Sequence, residues 1–298
     1  MKRTNLFGIF FLVLTISATP LLWSCGNDDD EQGSPDANTN ANLFADGPEA
    51  ARLEIPRLKG GVVNMFLVKR VPTFGINYCV EWDIAKKAQR WTAFRWDSSN
   101  SVRHTSRADE PFAEDTQIPA EYRTYLSQYA GSGYTRGHIC ASADRLCSNE
   151  ANVQTFLLSN MHPQYWNFNG GIWLSLENKI RTWNNNNFRD TLYVVKGGTI
   201  DHQSDIIERT SSGLIVPKYF FMALLCKNKS NVNEGYKAIG FYLEHKREAY
   251  ADEENVAPYI VSIDKLEDLT GIDFFCNLPD RIEQQVEKNV TPSAWGFQ

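Results

Sequence analysis

Six short runs along the chain are rich in β-branched and aromatic residues: Val62–Val71, Asn77–Ile84, Trp91–Asp97, Thr191–Lys196, Lys218–Lys227 and Ile239–His245. Runs of this kind read as β-strands. Their spacing is irregular and no helix alternates with them, which predicts an α+β fold with a mostly antiparallel sheet body rather than a doubly wound sheet. Short helices are predicted at Ala120–Tyr129, which stops at Gly131, and at Ile172–Trp183. A C-terminal pair follows around Ser262–Thr270, closed by Gly271, and Pro279–Lys288. Residues 184–187 read as a loop, and no internal repeat is present.

The N-terminal pattern is of another kind. Lys2 and Arg3 precede an apolar run from Leu6 to Trp23, broken by Thr15, Ser17, Thr19 and Pro20 and followed by Ser24 and Cys25. A charged start, a short apolar core and a small-residue exit describe a secretory signal. A permanent spanning helix would need about 20 unbroken apolar residues. Leu22-Trp23-Ser24-Cys25-Gly26 resembles a bacterial lipoprotein cleavage site, with Trp23 an unusual occupant, and marks Cys25 for lipidation. Asp28-Asp29-Asp30-Glu31 is similar to the acidic tethers that carry some lipoproteins to the outer face. The expected organisation is a lipoprotein signal peptide over 1–24, an acidic flexible tether over 25–58 and one domain over 59–298. The expected setting is outside the cytoplasm, lipid-anchored in the outer membrane or cell envelope.

Composition narrows the class. With 298 residues, 42% of them hydrophobic and 22% charged, the chain can bury a large core, which excludes a disordered chain, a collagen-like repeat and a small disulfide scaffold. A net charge of -6 argues against a polyanionic partner, but its distribution removes that objection. Residues 26–51 hold seven acids and no base, while residues 52–298 hold 28 bases against 29 acids. Five cysteines follow Cys25, so at least one is unpaired within the chain. His138, Cys140 and Cys147 fit no common zinc spacing.

Residues 131–181 carry the chemistry. His138 follows Arg136 and Gly137, and imidazole is the side chain best matched to proton abstraction near neutral pH. Arg136 projects to the same side as His138 if the segment is extended. Further on, Asn169, Trp173, Glu177 and Arg181 recur every four residues, so a helix starting near Asn169 lines one side of a cleft with Asn169, Glu177 and Arg181. An amide oxygen and a carboxylate are hard ligands suited to Mg2+. A base, a hard-metal site and two arginines together imply phosphoryl chemistry. Each group also has a plainer reading. Asn169 suits a helix N-cap, Glu177 and Arg181 an ordinary i,i+4 pair, and Asn160 with Pro163 a turn. Trp173 and Leu176 read as core, and His104, His202 and His245 as surface or packing residues.

The order Arg136-Gly-His138, Ser159-Asn160-Met-His162-Pro163-Gln164 and Asn169-Gly-Gly-Ile-Trp173-Leu-Ser-Leu-Glu177-Asn-Lys-Ile-Arg181 resembles the DNA/RNA non-specific endonuclease family, whose site is a ββα-metal (His-Me) finger. The similarity covers roughly residues 60–285, including the closing segment Thr270-Gly271-Ile-Asp273-Phe274-Phe275. The resemblance implies a ββα-metal site embedded in the sheet body and an enzyme that hydrolyses phosphodiester bonds of DNA and RNA. It implies His138 as general base and Asn169 as main ligand of one Mg2+, or another divalent ion such as Mn2+. Glu177 would hold the metal or its waters. Arg136 and Arg181 would contact the phosphate, and Asn160 would support the metal-site geometry. Arg107 adds a further phosphate contact through a looser match that includes Phe112 and Asp115. His162 falls at a variable position of the motif. The family's Asp before Arg-Gly-His is Thr135 here, which bears on rate more than on reaction type. A catalytically weak envelope module that binds nucleic acid, or a phosphodiesterase of small nucleotides, would use the same set.

Overall fold

The computed structural model describes residues 37–109 and 111–298. The signal segment, Cys25 and the first part of the expected tether lie outside the described residues. Among the described residues eleven strands form: β1 (Asn64–Val71), β2 (Gly75–Asp83), β3 (Ala88–Trp96), β4 (Thr135–His138), β5 (Met161–Gln164) and β6 (Thr191–Gly198) come first. Then follow β7 (Ile206–Arg209), β8 (Ile215–Pro217), β9 (Tyr219–Lys227), β10 (Tyr236–Glu244) and β11 (Ile260–Val261). The α-helices are α1 (Asn149–Gln154), α2 (Trp166–Phe168), α3 (Leu174–Thr182), α4 (Ile263–Thr270) and α5 (Asp280–Glu287). Seven strands make one sheet in the order β1-β2-β3-β6-β9-β10-β11, every pair antiparallel. All six strands expected from the sequence are in it.

Both faces of this sheet are covered, which explains why β9 (YFFMALLCK) reads as an unbroken apolar run. Its even positions, Phe220, Met222 and Leu224, join a core with Trp82, Phe94, Val194 and the helical residues Phe168, Ile172, Trp173, Leu176 and Ile180. The odd positions, Phe221, Ala223 and Leu225, join a second core with Ile263, Leu266, Phe275, Ile282 and Val286 of the C-terminal segment. One face thus carries α2 and α3, the other α4 and α5. Ser262 caps α4 by accepting the Lys265 amide, and Gly271 closes it in the left-handed conformation (φ 67°).

Two expectations need correction. The Ala120–Tyr129 helix is two 3-10 turns, Ala120–Tyr122 and Leu126–Tyr129. Arg123 between them is extended, and the Thr124 hydroxyl donates to the Lys87 carbonyl, drawing the chain out of helical register. The flexible tether also does not reach residue 58. Asn38 donates to the Leu278 carbonyl, Asn42 to the carbonyls of Ala50 and Pro56, and Ala50 and Ile55 are buried. Asparagine side chains supply the anchoring that the apolar-poor composition concealed, so residues 37–58 are a strap on the domain.

A short hairpin, β4 against β5, stands beside the large sheet with Gly137 opposite His162. A Cβ on Gly137 would overlap the buried Gln164 side chain. Gly137→Ala should therefore destabilise the protein by about 1–3 kcal/mol through overpacking, read as a lower urea midpoint, and Gln164→Ala in the same chain should recover part of the loss. Unchanged stability in Gly137→Ala would show that the hairpin opens without cost.

Candidate active site

The hairpin β4–β5 followed by the helical segment 166–182 is a ββα arrangement, and a cavity of about 630 Å³ lies against it. Arg107, Arg136, His138, Asn169, Glu177 and Arg181 all line this cavity. Asn160 does not. Fully buried behind the hairpin, it accepts the Cys140 amide at 2.8 Å and donates to the carbonyls of Cys140 and Thr155, both at 2.8 Å. Asn160 is a strut that fixes the chain just after His138, not a group that meets substrate.

Strand alternation puts Arg136 and His138 on the cavity side, as expected. The His138 ring stands edge-on to Phe156 at 4.9 Å and beside Phe112 at 5.8 Å. Its Nε2 has no partner, and the ring bonds the Arg136 backbone, which leaves Nδ1 as the bonded nitrogen. The free lone pair is therefore on Nε2. Burial, and then the nearby Arg107 guanidinium, lower its pKa to about 3, so the ring is neutral at pH 7. The two other buried histidines serve packing. His245 accepts the Tyr165 amide and donates to the Pro217 carbonyl, both at 2.8 Å, and so steadies the entry to α2. His162 is buried against Phe220 and lies outside the cavity.

Asn169 is not a helix start. The helix begins at Trp166 and widens into a π-turn over Asn169–Trp173, bent at Gly171 (φ −101°, ψ −113°), before α3 resumes. Bulges of this type recur at functional sites. The Asn169 amide donates from Nδ2 to the Thr135 hydroxyl at 3.1 Å, and that hydroxyl donates to the Gln164 carbonyl at 3.0 Å. Thr135 thereby leaves the Asn169 Oδ1 as the group available to the cavity. It supplies by hydroxyl an orientation that an acid would otherwise provide.

Beneath the cavity lies a charge network that the sequence did not reveal. Lys196 and Asp144 are both fully buried in their side chains, and Lys196 Nζ binds Asp144 Oδ2 at 2.8 Å. Arg181 Nη1 binds Asp144 Oδ1 at 2.8 Å, while its Nη2 donates to Asn178 at 2.7 Å. Glu177 receives less: Lys196 stays 3.7 Å from Oε1 and Arg181 3.9 Å from Oε2, so the sequence-expected i,i+4 pair is the weaker one. Burial raises the Asp144 carboxyl, but Lys196 and then Arg181 outweigh it and hold the carboxyl below the usual range. Burial pushes the Glu177 carboxyl up to about 7 against the opposing pull of Lys196. Its Oε1 is buried without a hydrogen-bond donor. Asn169 Oδ1 and the Glu177 carboxylate, which is held only by long ion pairs, are two hard oxygen groups on the cavity wall, a donor set that fits a single Mg2+ or Mn2+ sharing water ligands.

The remaining arginines sit on aromatic rings, Arg136 at 4.0 Å from Phe112 and Arg107 at 4.9 Å from Phe156. Asp115 is structural, bound by Lys69 and Ser159 at 2.5 Å each. Trp166, 77% exposed at the cavity wall, was not singled out in the sequence. Nothing in its spacing distinguishes it from a packing residue. All five cysteines of the described residues are buried thiols, none bridged.

Removing one member of the network should be costly because it strands a buried charge. Lys196→Met should lower stability by about 3–5 kcal/mol, measured by urea unfolding, and a loss under about 1 kcal/mol would show that the Asp144 charge is neutralised by other means.

The description "DNA/RNA non-specific endonuclease" belongs to a family model that matches residues 67–281. A nuclease of Nostoc sp. is 29% identical over 219 residues, covering 72% of this chain and 76% of that protein. The human mitochondrial nuclease EXOG is 28% identical over 210 residues, covering 68% of this chain and 56% of its own length. The mitochondrial nuclease of Saccharomyces cerevisiae is 30% identical over 203 residues, covering 64% and 61%. The chain thus spans little more than half of these mitochondrial relatives. Among solved structures, the EndoG/EndoGI complex contains a chain that superposes with a TM-score of 0.60 at 19% identity, over 73% of this chain and 89% of that one, a likeness of fold. With a family model matching most of the sequence, the chain belongs to the DNA/RNA non-specific endonuclease family and is a hydrolytic nuclease.

Proposed function

We propose that this protein is a divalent-metal-dependent endonuclease that hydrolyses phosphodiester bonds of DNA and RNA with little sequence preference, with His138 as the general base. The observation that carries the reading is the pairing of a His138 Nε2 without a hydrogen-bond partner and a Glu177 Oε1 held only by the 3.7 Å ion pair to Lys196, on one arginine-lined cavity. A water in the cavity gives its proton to Nε2 as its oxygen attacks phosphorus, while the Arg136 backbone holds the other ring nitrogen. One P–O ester bond breaks as the new P–O bond forms. Arg136 and Arg107 draw the anionic diester in, and Arg181, fixed by Asp144 and Asn178, presents its charge in a set position. A bound Mg2+ at Asn169 and Glu177 would supply positive charge to the phosphate oxygens and the departing oxygen. Trp166 offers a face on which a base or sugar can stack. Because residues 52–298 are nearly neutral, the grip on long nucleic acid should rest on a few phosphate contacts and weaken as salt rises.

We also propose that the chain is exported and held at the cell envelope by lipid on Cys25. The support is the charged start, apolar run and small-residue exit of residues 2–25.

Plasmid and RNA should both be cut in Mg2+ and spared in EDTA, and His138→Ala should lower kcat by about 10²–10⁴-fold. Undiminished cutting by His138→Ala would remove the proposed base. Cutting of a small dinucleotide ester with plasmid left intact would point to a phosphodiesterase. Since the lowered pKa of His138 keeps its base form present as pH falls, kcat/KM at saturating metal should show no acid limb near pH 6.5. Glu177, pushed up to about 7, adds an acid limb only at low metal, so a midpoint at or above 6.5 that persists as metal is raised would contradict the His138 environment described. Thr135→Val keeps shape but not the hydroxyl, and should raise the Mg2+ concentration for half-maximal rate by about 10–100-fold. An unaltered metal requirement would leave Asn169 oriented by other groups.

A further inference from the structure

Five carboxylates converge on the other face of the sheet. Asp264 and Glu267 lie one turn apart on α4, Glu283 and Glu287 one turn apart on α5, and Asp273 lies in the segment between the helices. Together they line a cavity of about 690 Å³ that Asn40 of the N-terminal strap also reaches. One oxygen each from Asp264, Glu267 and Glu287 fall within 4.8 Å of one another.

The cluster has few donors. Asn40 Nδ2 serves Glu283 at 2.7 Å and Asp273 at 3.2 Å, and the Phe274 amide serves Glu267 at 2.7 Å. Among the described residues no ion pair reaches any of the five carboxylates, and Arg281 at the rim is engaged by Glu234. Glu287 is only 4% exposed, and its Oε1 is buried without a donor. Asn40 Oδ1 is buried and unpartnered as well. Lys288 also lines the cavity and Arg57 acts on Asp273, but among the described residues neither makes an ion pair with the cluster, so the orphaned acceptors have no positive group in contact, and either protons or a cation can supply one. Burial, then Glu267 and Glu283, push the Glu287 carboxyl up to about 11.

We propose that Asp264, Glu267 and Glu287 form a second divalent-cation site, apart from the active site, which takes Ca2+ and fastens α4, α5 and the strap at Asn40 to one another. An all-oxygen set with an irregular arrangement is Ca2+ chemistry, because that ion accepts six to eight oxygens at 2.3–2.6 Å. Two such bonds span roughly 5 Å, enough for the oxygen spread found. Mg2+, at 2.0–2.1 Å and strictly octahedral, suits the set less well.

The test is thermal unfolding of the purified, EDTA-treated protein titrated with Ca2+, for the wild type, Glu287→Gln, Glu267→Gln and the active-site variant Asn169→Ala. Saturating Ca2+ should raise Tm by roughly 5–10 °C in the wild type and in Asn169→Ala, and should leave both glutamine variants unmoved. Calorimetry on Asn169→Ala should count one Ca2+ per chain, and the exposed-rim variant Asp264→Asn should weaken that binding if a glutamine variant fails to fold. Three results would overturn the proposal. One is no Ca2+ effect on the wild type. A second is an effect lost in Asn169→Ala but kept in Glu287→Gln. The third is a metal-free wild type that gains its stability from a drop in pH from 8 to 6, with nothing added by Ca2+.

Discussion

Lys196 occupies the central strand of the sheet, two residues beyond Val194 and on the same face, so its ammonium is driven into the core that supports the active site. A buried cation is tolerable only with close acidic partners. Those partners, Asp144 from a 3-10 turn and Glu177 from α3, can reach it only when the turn, the helix and the sheet are all in place. The arrangement of the cavity is therefore inseparable from the stability of the fold. The sharing is unequal: Lys196 and Arg181 both sit at 2.8 Å from Asp144 and near 4 Å from Glu177. Asp144 takes the closer share of both cations, and burial raises the pKa of Glu177, which has the weaker share.

The same economy of partners separates the histidines. Burial lowers the pKa of His138, His162 and His245 alike, so titration alone does not tell them apart. Surroundings do. Both nitrogens of His245 are engaged, His162 faces a phenylalanine of the sheet, and His138 alone presents an unpartnered nitrogen to a polar cavity. Two phenylalanines hold its ring, and two arginines hold the mouth of the same space.

The strands of the main sheet were legible because each is a run of β-branched and aromatic residues, and the site helix because Asn169, Glu177 and Arg181 recur at helical spacing. The π-turn was not legible: two adjacent glycines permit it, but only the packing of Phe168, Ile172 and Trp173 against the sheet selects it. Lys196 and Asp144 were invisible for a different reason. Their significance comes from a contact across 52 positions, and neither belongs to a local pattern. Asn160 was found by its motif as a supporting residue, but the motif could not say what it supports: it ties the chain after His138 to the Thr155 carbonyl. The N-terminal strap was missed because its composition is that of a linker, while its asparagines bond scattered acceptors: Asn38 the distant Leu278 carbonyl, Asn40 the Glu283 carboxylate and Asn42 the Pro56 carbonyl within the strap.

That strap has a geometric consequence. It joins the domain at Leu278, Asp273 and Glu283, on the α4–α5 side, whereas the cavity opens on the α2–α3 side. Strap and cavity therefore sit on opposite faces of one sheet, so a polymer can fill the cavity without displacing the segment that clasps α4 and α5.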